Sequence, residues 1–294
     1  MNITTSICGN IIDFRIKSDF LSACVKILLE KNIVSSKNNT DAFVVNIIGE
    51  HENVNDETNF IAQIRTKKAS VFLKSNNAIC YIDDNKIKSA ESLYYQLINP
   101  LIIKIMEIKK LLYIHGAAMN IDRKGIAIIG PRNAGKTTLS LITLLQGGEI
   151  LTDDCLFING LLEAQSFYRP LHVNPNLGTI LNIEDQLKNC KPYLHDEIEL
   201  NYDIDLYHPN QMISKLKLES IFFSQVKNMP STSIKEFAYD QKKNKLFTYI
   251  NENGGLSSNT ENVIEAMLSL PMYDLLLGND ILSNPQTIKN LAKY

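Results

Sequence analysis

The chain has 294 residues, 45% hydrophobic and 21% charged, which is the composition of an ordinary globular protein with one large or two medium domains. Its 30 Lys and Arg residues nearly balance 32 Asp and Glu residues, so the net charge of −2 gives no electrostatic reason to expect nucleic acid or an anionic membrane as a partner. There is no signal-peptide layout, no apolar run approaching a membrane span and no paired spacing among the five cysteines, so we expect a cytoplasmic protein with reduced thiols.

The first part of the chain predicts an α+β region. Ser18 or Asp19 can cap a helix over residues 20–30, whose apolar residues follow helical spacing. Four apolar runs then predict the strands of a small antiparallel sheet, at residues 43–48, 60–65, 70–74 and 78–82. We place the end of this region at residue 98 and predict a second domain over residues 99–294, which begins with a helix carrying Pro100 in its first turn.

A hairpin is predicted next. Two apolar runs, residues 117–121 and 126–129, flank Asp122-Arg123-Lys124-Gly125, which has the composition of a four-residue turn. If Ile121 faces Ile126, the register places His115 opposite residue 132. The sequence thus predicts a histidine beside the loop that follows the hairpin, and the alternative is a packed, structural histidine.

That loop has the pattern GxxxxGK[ST], between an apolar strand and an apolar helix, which is the setting of a phosphate-binding loop. Its glycines let backbone N–H groups turn toward phosphate oxygens, and the helix N-terminus adds partial positive charge. Lys136 is expected at the β- and γ-phosphates and the Thr137 hydroxyl at Mg²⁺; the alternative is a turn that binds nothing. The residues expected to bind the nucleotide are Gly130, Pro131, Arg132, Asn133, Ala134, Gly135, Lys136, Thr137 and Thr138.

Two carboxylates follow the loop helix. Gly147-Gly148 is expected to end that helix, and residues 149–154 predict a short strand that finishes with Asp153 and Asp154. In a strand-helix-strand unit the two strands run parallel, so the end of this strand should lie near the phosphate loop. The alternative is a pair of turn residues with no chemical role.

The remaining sequence is less informative. We predict a strand at residues 216–223, a hairpin over 237–250 and a helix from Glu261 that Pro271 ends. The polar, acidic segment 184–205 is expected to be a loop that could cover a substrate. Arg169 is either a clamp for an anionic group or an ordinary surface residue.

Phosphoryl transfer requires phosphate binding, charge neutralisation and a proton acceptor, and the sequence offers a candidate for each. Lys136 and the loop amides would hold phosphates, while Thr137 and one aspartate, taken as Asp153, would hold Mg²⁺. The other aspartate, Asp154 in this assignment, or His115 would then accept the proton. The sequence does not decide which of the two aspartates is the base. The predicted catalytic residues are Asp153, Asp154, His115 and Lys136, and the predicted metal ligands are Thr137 and Asp153.

Four elements in this order resemble the core of HPr kinase/phosphorylase and its relatives in the phosphoenolpyruvate-carboxykinase-like group. They are His115-Gly116, the loop, Gly147-Gly148 and Thr152-Asp153-Asp154. Asp154 stands eighteen positions after Lys136, as in that family. The resemblance covers roughly residues 111–160. It implies an α/β fold with a P-loop core and mixed sheet, ATP and Mg²⁺ as cofactors, a serine hydroxyl as acceptor, and Asp153 and Asp154 as the base and the metal-linked residue.

The sequence departs from that family at Thr138, where HPr kinases carry glutamate, and in lacking their downstream signature, so the reverse reaction and HPr as substrate are not implied. Its layout of a small β-rich N-terminal region, the core and then the stretch at residues 270–275 is more similar to diverged HPr-kinase-like proteins, some of which phosphorylate the C-terminal serine of a lasso-peptide precursor. We therefore expect an enzyme acting on a peptide or small protein, with homo-oligomers possible. The alternatives are a kinase of a small-molecule or sugar hydroxyl, and an ATP-binding switch that transfers no phosphate.

Overall fold

The computed structural model describes residues 1–35, 42–49, 60–66, 68–83, 86–193, 196–252 and 260–294. The chain folds into two compact units, Met1–Lys109 and Lys110–Tyr294. The division between them falls after the helix Asn99–Ile108, whereas the boundary predicted from sequence falls before it. In the described part of the chain, no helix has both the length and the apolar character needed to cross a membrane.

In the first unit, the strands are Asn2–Ile7 (β1), Asn10–Ile16 (β2), Phe43–Gly49 (β3), Ala62–Arg65 (β4), Ala69–Leu73 (β5) and Asn77–Ile82 (β6). The α-helices are Asp19–Leu29 (α1), Ala90–Leu93 (α2) and Asn99–Ile108 (α3), with a 3₁₀ turn at Glu30–Asn32 and a π-helical turn at Tyr94–Ile98. The predicted first helix is confirmed, because the Ser18 hydroxyl accepts a hydrogen bond of 3.3 Å from the Leu21 amide and caps α1.

The prediction of an antiparallel N-terminal sheet is wrong. Among the described residues the sheet has the strand order β1-β2-β3-β6-β5-β4, and β3 runs parallel to both β2 and β6. The physical reason is α1, which connects β2 to β3 as a helical crossover, and such a crossover joins parallel strands. Only the hairpins β1-β2, β4-β5 and β5-β6 are antiparallel.

The second unit contains the predicted hairpin and phosphate loop. Its strands are Leu112–Ile121 (β7), Lys124–Ile129 (β8), Glu149–Thr152 (β9), Cys155–Ile158 (β10), Glu163–Gln165 (β11), Leu171–Val173 (β12), Lys191–Tyr193 (β13), Asp196–Tyr202 (β14), Lys215–Lys217 (β15), Ser220–Val226 (β16), Ser233–Glu236 (β17) and Met272–Leu277 (β18). Its helices are Lys136–Leu145 (α4), Leu177–Leu181 (α5), Glu184–Leu187 (α6), Ile204–Tyr207 (α7), Tyr239–Glu252 (α8), Glu261–Leu268 (α9) and Asp280–Ser283 (α10), followed by a 3₁₀ helix at Pro285–Lys293.

The described strands of this unit form a large mixed sheet in the order β15-β11-β10-β7-β8-β16-β18-β17, with β9 also paired to β7. The inner strands β8, β16 and β18 are parallel, so their carboxyl ends share one edge. One face of the sheet packs against α4 and the C-terminal 3₁₀ helix, and the other packs against α8 and α9. The predicted mixed α/β architecture is therefore confirmed for this unit.

Helix α4 ends as predicted at Gly147-Gly148. The amides of these two residues donate to the carbonyls of Leu144 and Thr143, at 3.0 and 2.9 Å respectively. Gly147 has a φ of +80°, the left-handed conformation that this type of helix ending requires. The chain is thereby turned directly into β9.

Two further predictions are wrong. Residues 237–250 form most of α8 instead of a hairpin, because Leu246, Tyr249 and Ile250 have helical spacing and are buried together. The segment 184–205 is not a loop; it contains α6, β13, β14 and the start of α7, and β14 pairs with both β12 and β13 in a small sheet. The polar-apolar alternation through Leu200 and Tyr202 is the signal of that strand.

Candidate functional site

The hairpin that precedes the loop has a different register from the predicted one. Ile121 pairs with Lys124 and Gly116 with Ile129, so the turn contains only Asp122 and Arg123. Both turn residues have positive φ, +49° and +69°, as the tightest hairpin turns require. The predicted four-residue turn and the pairing of His115 with residue 132 are therefore wrong.

His115 instead pairs with Cys155 of β10, on the other side of β7. Strands β9 and β10 both pair antiparallel with β7, and the Asp153-Asp154 turn lies between them. The Gly116 amide donates to the Asp154 carbonyl at 3.1 Å, which joins this turn to β7. The pairing of β7 with β10 therefore brings His115 beside the Asp153-Asp154 turn. The pairing of β7 with β8 does not.

The loop leaves the carboxyl end of β8 and enters α4 through two left-handed residues, Asn133 at φ +64° and Gly135 at φ +90°. A Cβ atom at Gly135 would stand 2.6 Å from the Cδ1 atom of Leu277. A Cβ atom at Gly130 would stand 2.6 Å from the Ala134 Cβ and 2.7 Å from the Ser224 carbonyl oxygen. The first glycine of the motif is therefore required by close packing, and the second also by its conformation.

Within the described residues, the amides of Lys136 and Thr137 at the start of α4 have no hydrogen-bond acceptor. Together with the partial positive charge of the helix N-terminus, such amides favour an anion such as phosphate. Of the other predicted binding residues, Pro131, Arg132 and Asn133 are exposed, Ala134 is buried and Thr138 is half-buried. The residues present therefore fit a phosphate group at this position.

Lys136 is buried at 6% exposure, and its Nζ atom donates to the carbonyl oxygens of Gly130 and Pro131 at 2.9 and 3.0 Å. The ammonium group is thus held inside the curve of the loop. Burial lowers the pKa of Lys136, against the opposing charges of Asp154 and Asp153. A phosphate would give this cation the charged partner that the two carbonyl groups do not supply.

Asp153 lies beside the first turn of α4. Its Oδ2 atom accepts a hydrogen bond of 2.6 Å from Thr137 Oγ1. Burial, followed by the charge of Asp154, raises the pKa of Asp153 to about 6, although the bond from Thr137 opposes the rise. A hydroxyl and a carboxylate are the oxygen ligands that Mg²⁺ takes from proteins when phosphates and water complete its shell. No cluster of three His, Cys, Asp or Glu side chains suited to a metal is found in the described part of the chain.

Asp154 has different partners from those of its neighbour. Its Oδ1 atom lies 2.7 Å from Nδ1 of His115, and its Oδ2 atom accepts a hydrogen bond from Arg169. Burial by itself raises the pKa of Asp154, but the hydrogen bond with His115 and the charge of Arg169 outweigh it and hold the pKa well below its ordinary value. The pKa values of these two adjacent carboxyl groups are therefore shifted in opposite directions. Asp154 is the ionised member, and Asp153 keeps its proton more readily.

Two residues of this cluster were not placed by sequence. Arg169 was left undecided, and in the structure its guanidinium group contacts both Asp154 and the Cys155 sulfur, at 3.4 Å for the latter. His172 was assigned no role, yet it is close enough to Asp154 and Arg169 for their charges to act on it. Burial, together with the charge of Arg169, lowers its pKa to about 3. The sequence signal for both was weak, because Arg169 lies in an irregular connection before β12 and His172 lies in β12 itself, a strand of only three residues.

No family model and no curated protein matches this sequence. Among solved structures, it is similar to the HPr(Ser) kinase/phosphatase from Coxiella burnetii, with 14% sequence identity and a TM-score of 0.35 over 62% of this chain and 93% of that chain. A likeness at that level assigns neither a family nor an activity. The residues of the site itself therefore carry the functional conclusion.

Proposed function

We propose that this protein is an ATP- and Mg²⁺-dependent kinase with an HPr-kinase-like P-loop core, and that it phosphorylates a serine hydroxyl of a peptide. The observation that carries the proposal is the 2.6 Å hydrogen bond between Thr137 and Asp153. It joins the hydroxyl of the phosphate-loop motif to a carboxylate on a different strand. This pairing of a loop hydroxyl with a strand-end aspartate is the Mg²⁺-binding arrangement of P-loop nucleotide enzymes.

The phosphates would be held by Lys136 and by the amides at the start of α4. Mg²⁺ would be held by Thr137 and Asp153, and bound MgATP supplies the phosphoryl group that is transferred. The Lys136 ammonium group would exchange the carbonyls of Gly130 and Pro131 for phosphate oxygens. These residues neutralise charge and fix geometry, which is most of what phosphoryl transfer needs from a protein.

The proton acceptor in this proposal is His115. A hydrogen bond from Nδ1–H to Asp154 fixes the tautomer in which Nε2 can accept a proton, and the carboxylate stabilises the charged ring that results. Arg169 keeps Asp154 ionised, which suits a carboxylate that orients the histidine and makes Asp154 itself a weak base. The His115 side chain is 32% exposed, so a substrate hydroxyl could reach it.

For the acceptor we propose a peptide, and specifically the C-terminal serine of a lasso-peptide precursor. The support for this choice is the layout of the sequence, in which a small β-rich N-terminal region, the phosphate-loop core and the stretch at residues 270–275 follow one another as in the diverged HPr-kinase-like proteins. The alternative acceptor is the hydroxyl group of a small molecule or sugar.

The experiment is incubation of the full chain with MgATP and a panel of peptides ending in serine, followed by mass spectrometry. Each peptide is paired with a copy ending in alanine, and a third set contains small hydroxyl compounds and sugars. The proposal expects phosphorylation of a serine peptide and none of its alanine copy. Transfer only to the small hydroxyl compounds would overturn the peptide assignment. ATP hydrolysis with no phosphorylated acceptor would overturn the kinase assignment and favour an ATP-driven switch.

A further inference from the structure

A cavity of about 350 Å³ lies in the second unit, between α4, β18 and the C-terminal 3₁₀ helix. Leu139, Leu275 and Leu277 provide an apolar wall, and the 3₁₀ helix provides Thr287 and Asn290. Tyr294 also lines the cavity. None of these residues belongs to the group around Asp153 and Asp154.

The cavity adjoins the phosphate loop through one side chain. Leu277 lines the cavity, and its Cδ1 atom packs so closely on Gly135 that a Cβ atom there would stand 2.6 Å away. Two positions further along the chain, Thr137 contacts Asp153 instead. The end of the loop thus contacts a residue of the cavity wall through Gly135, and the first turn of α4 contacts Asp153 through Thr137.

The sheet topology also indicates that a ligand of the phosphate loop would extend toward the cavity. From β8, the crossover through α4 leads to β9, which lies beyond β7, whereas β16 and β18 lie on the opposite side of β8. Ligands of parallel sheets bind outside the carboxyl ends of the strands, at the point where connections leave in opposite directions. That point is the end of β8. The cavity lies on the β16 and β18 side of it, beside the carboxyl end of β18.

We propose that this cavity holds the base of the nucleoside triphosphate, an inference that rests on the proposed function. Its volume is at the small end of the range for ligand pockets, about 300 to 1,000 Å³, which suits one heteroaromatic ring system. Leucine side chains can cover the faces of a base, and the Tyr294 ring offers an aromatic surface. That ring is held by Tyr273 and Phe222, with centroid separations of 5.1 and 6.4 Å.

Asn290 provides the polar contact at the exposed side of the cavity. Its Oδ1 atom accepts a hydrogen bond of 2.7 Å from Lys293, so its Nδ2 group is the donor that it can offer to the edge of a base. Thr287 stands three residues earlier on the 3₁₀ helix, and residues at this spacing share a face. Both side chains therefore border the same opening.

The test compares the binding of MgATP and Mg²⁺-tripolyphosphate by isothermal titration calorimetry. Tripolyphosphate has the phosphate chain without the nucleoside, so it reports on the loop alone. Asn290→Trp and Thr287→Trp are designed to fill the cavity from partly or fully exposed positions, which keeps the core intact. Ser283→Trp is the matched control, because Ser283 is exposed and lies outside the cavity lining.

The wild-type chain and the Ser283→Trp control are expected to bind ATP at least about tenfold more tightly than tripolyphosphate. Each cavity-filling variant is expected to lose most of that preference while its tripolyphosphate affinity stays within about twofold. An unchanged ATP preference in both variants, or an equal loss for both ligands, would overturn the inference and leave the proposed function standing. A wild-type chain that binds neither ligand would overturn both.

Discussion

The Thr137 hydroxyl donates a hydrogen bond of 2.6 Å to the Asp153 carboxylate, sixteen residues further along the chain. The contact exists because β8 and β9 both run antiparallel to β7, on either side of it. Their carboxyl ends therefore share one edge of the sheet, although the two strands are not neighbours. The metal-binding role that we propose depends on this pair.

Substitutions at Thr137 test that role. Thr137→Ser keeps a hydroxyl group and is expected to retain most phosphotransfer activity. Thr137→Val nearly keeps the shape of the side chain but removes the hydroxyl group that would bind the metal. We expect Thr137→Val to need a much higher Mg²⁺ concentration for half-maximal activity and to lose about 10²-fold or more in kcat. The measurement is a Mg²⁺ titration of activity at saturating ATP, and equal Mg²⁺ dependence of the two variants would contradict the assignment.

The raised pKa of Asp153 predicts a pH-dependent stability. Folded Asp153 keeps its proton up to about pH 6, whereas in the unfolded chain an aspartate ionises near pH 4, so ionisation of Asp153 makes the folded protein progressively less stable as the pH rises through this window. Asp153→Asn does not ionise. The free energy of unfolding of Asp153→Asn relative to wild type should therefore increase between about pH 4 and pH 6.

Chemical unfolding of both proteins in EDTA measures this difference. Asp154→Asn is the comparison, because the pKa of Asp154 is lowered and the linkage has the opposite sign. Its ionisation contributes stability that is present above about pH 4 and is lost at lower pH, so this variant should become relatively less stable as the pH rises through about 4. A constant difference between Asp153→Asn and wild type from about pH 4 to pH 7 would show that Asp153 is not perturbed.

The contact between His115 and Asp154 predicts strongly non-additive kinetics. If the carboxylate acts by orienting the histidine, His115→Gln and Asp154→Asn should each reduce kcat by about 10²- to 10⁴-fold. The double variant should then be little worse than either single variant, because the two residues act as one unit. Losses that multiply in the double variant would show that Asp154 has an independent role.

Lys136 and Arg132 form a matched pair of cations in one loop. Lys136 is buried and its ammonium group lies inside the loop, whereas Arg132 is exposed. Lys136→Met is expected to reduce kcat by about 10²- to 10³-fold. Arg132→Met removes the same charge and should change kcat by less than about tenfold. Similar losses in both variants would mean that general electrostatics, not the position of Lys136, supports the activity.

The hairpin turn offers a stabilising substitution. Arg123 has φ +69°, where a residue with a side chain is strained by about 1 kcal/mol relative to glycine. Arg123→Gly should therefore raise the free energy of unfolding by up to about 1 kcal/mol in a denaturant titration. Lys124→Gly, one residue later in β8, is the control and should lower stability, since glycine weakens a strand. A destabilised Arg123→Gly variant would contradict the turn geometry.

The sequence by itself determined the local features of the site. The loop motif, the glycine ending of α4 and the two aspartates after β9 were all predicted from short stretches, because each depends on residues within one or two turns of the chain. The motif also indicated Thr137 as a metal ligand. For the same reason, hydrophobic spacing identified α1, and the helix predicted from Glu261 to the stop at Pro271 is α9.

Tertiary structure alone decided which distant groups meet. The turn at Asp122-Arg123 has two residues instead of the predicted four, which shifted the register of β7 against β8 by two residues. The residue types at 122–125 suit both turns, so the sequence could not distinguish them. The pairing of β10 with β7 then brought His115 to Asp154, and an irregular connection delivered Arg169 to the same carboxylate. The pKa values of Asp153 and Asp154 diverge for this reason, since burial and the placement of neighbouring charges are properties of the folded chain.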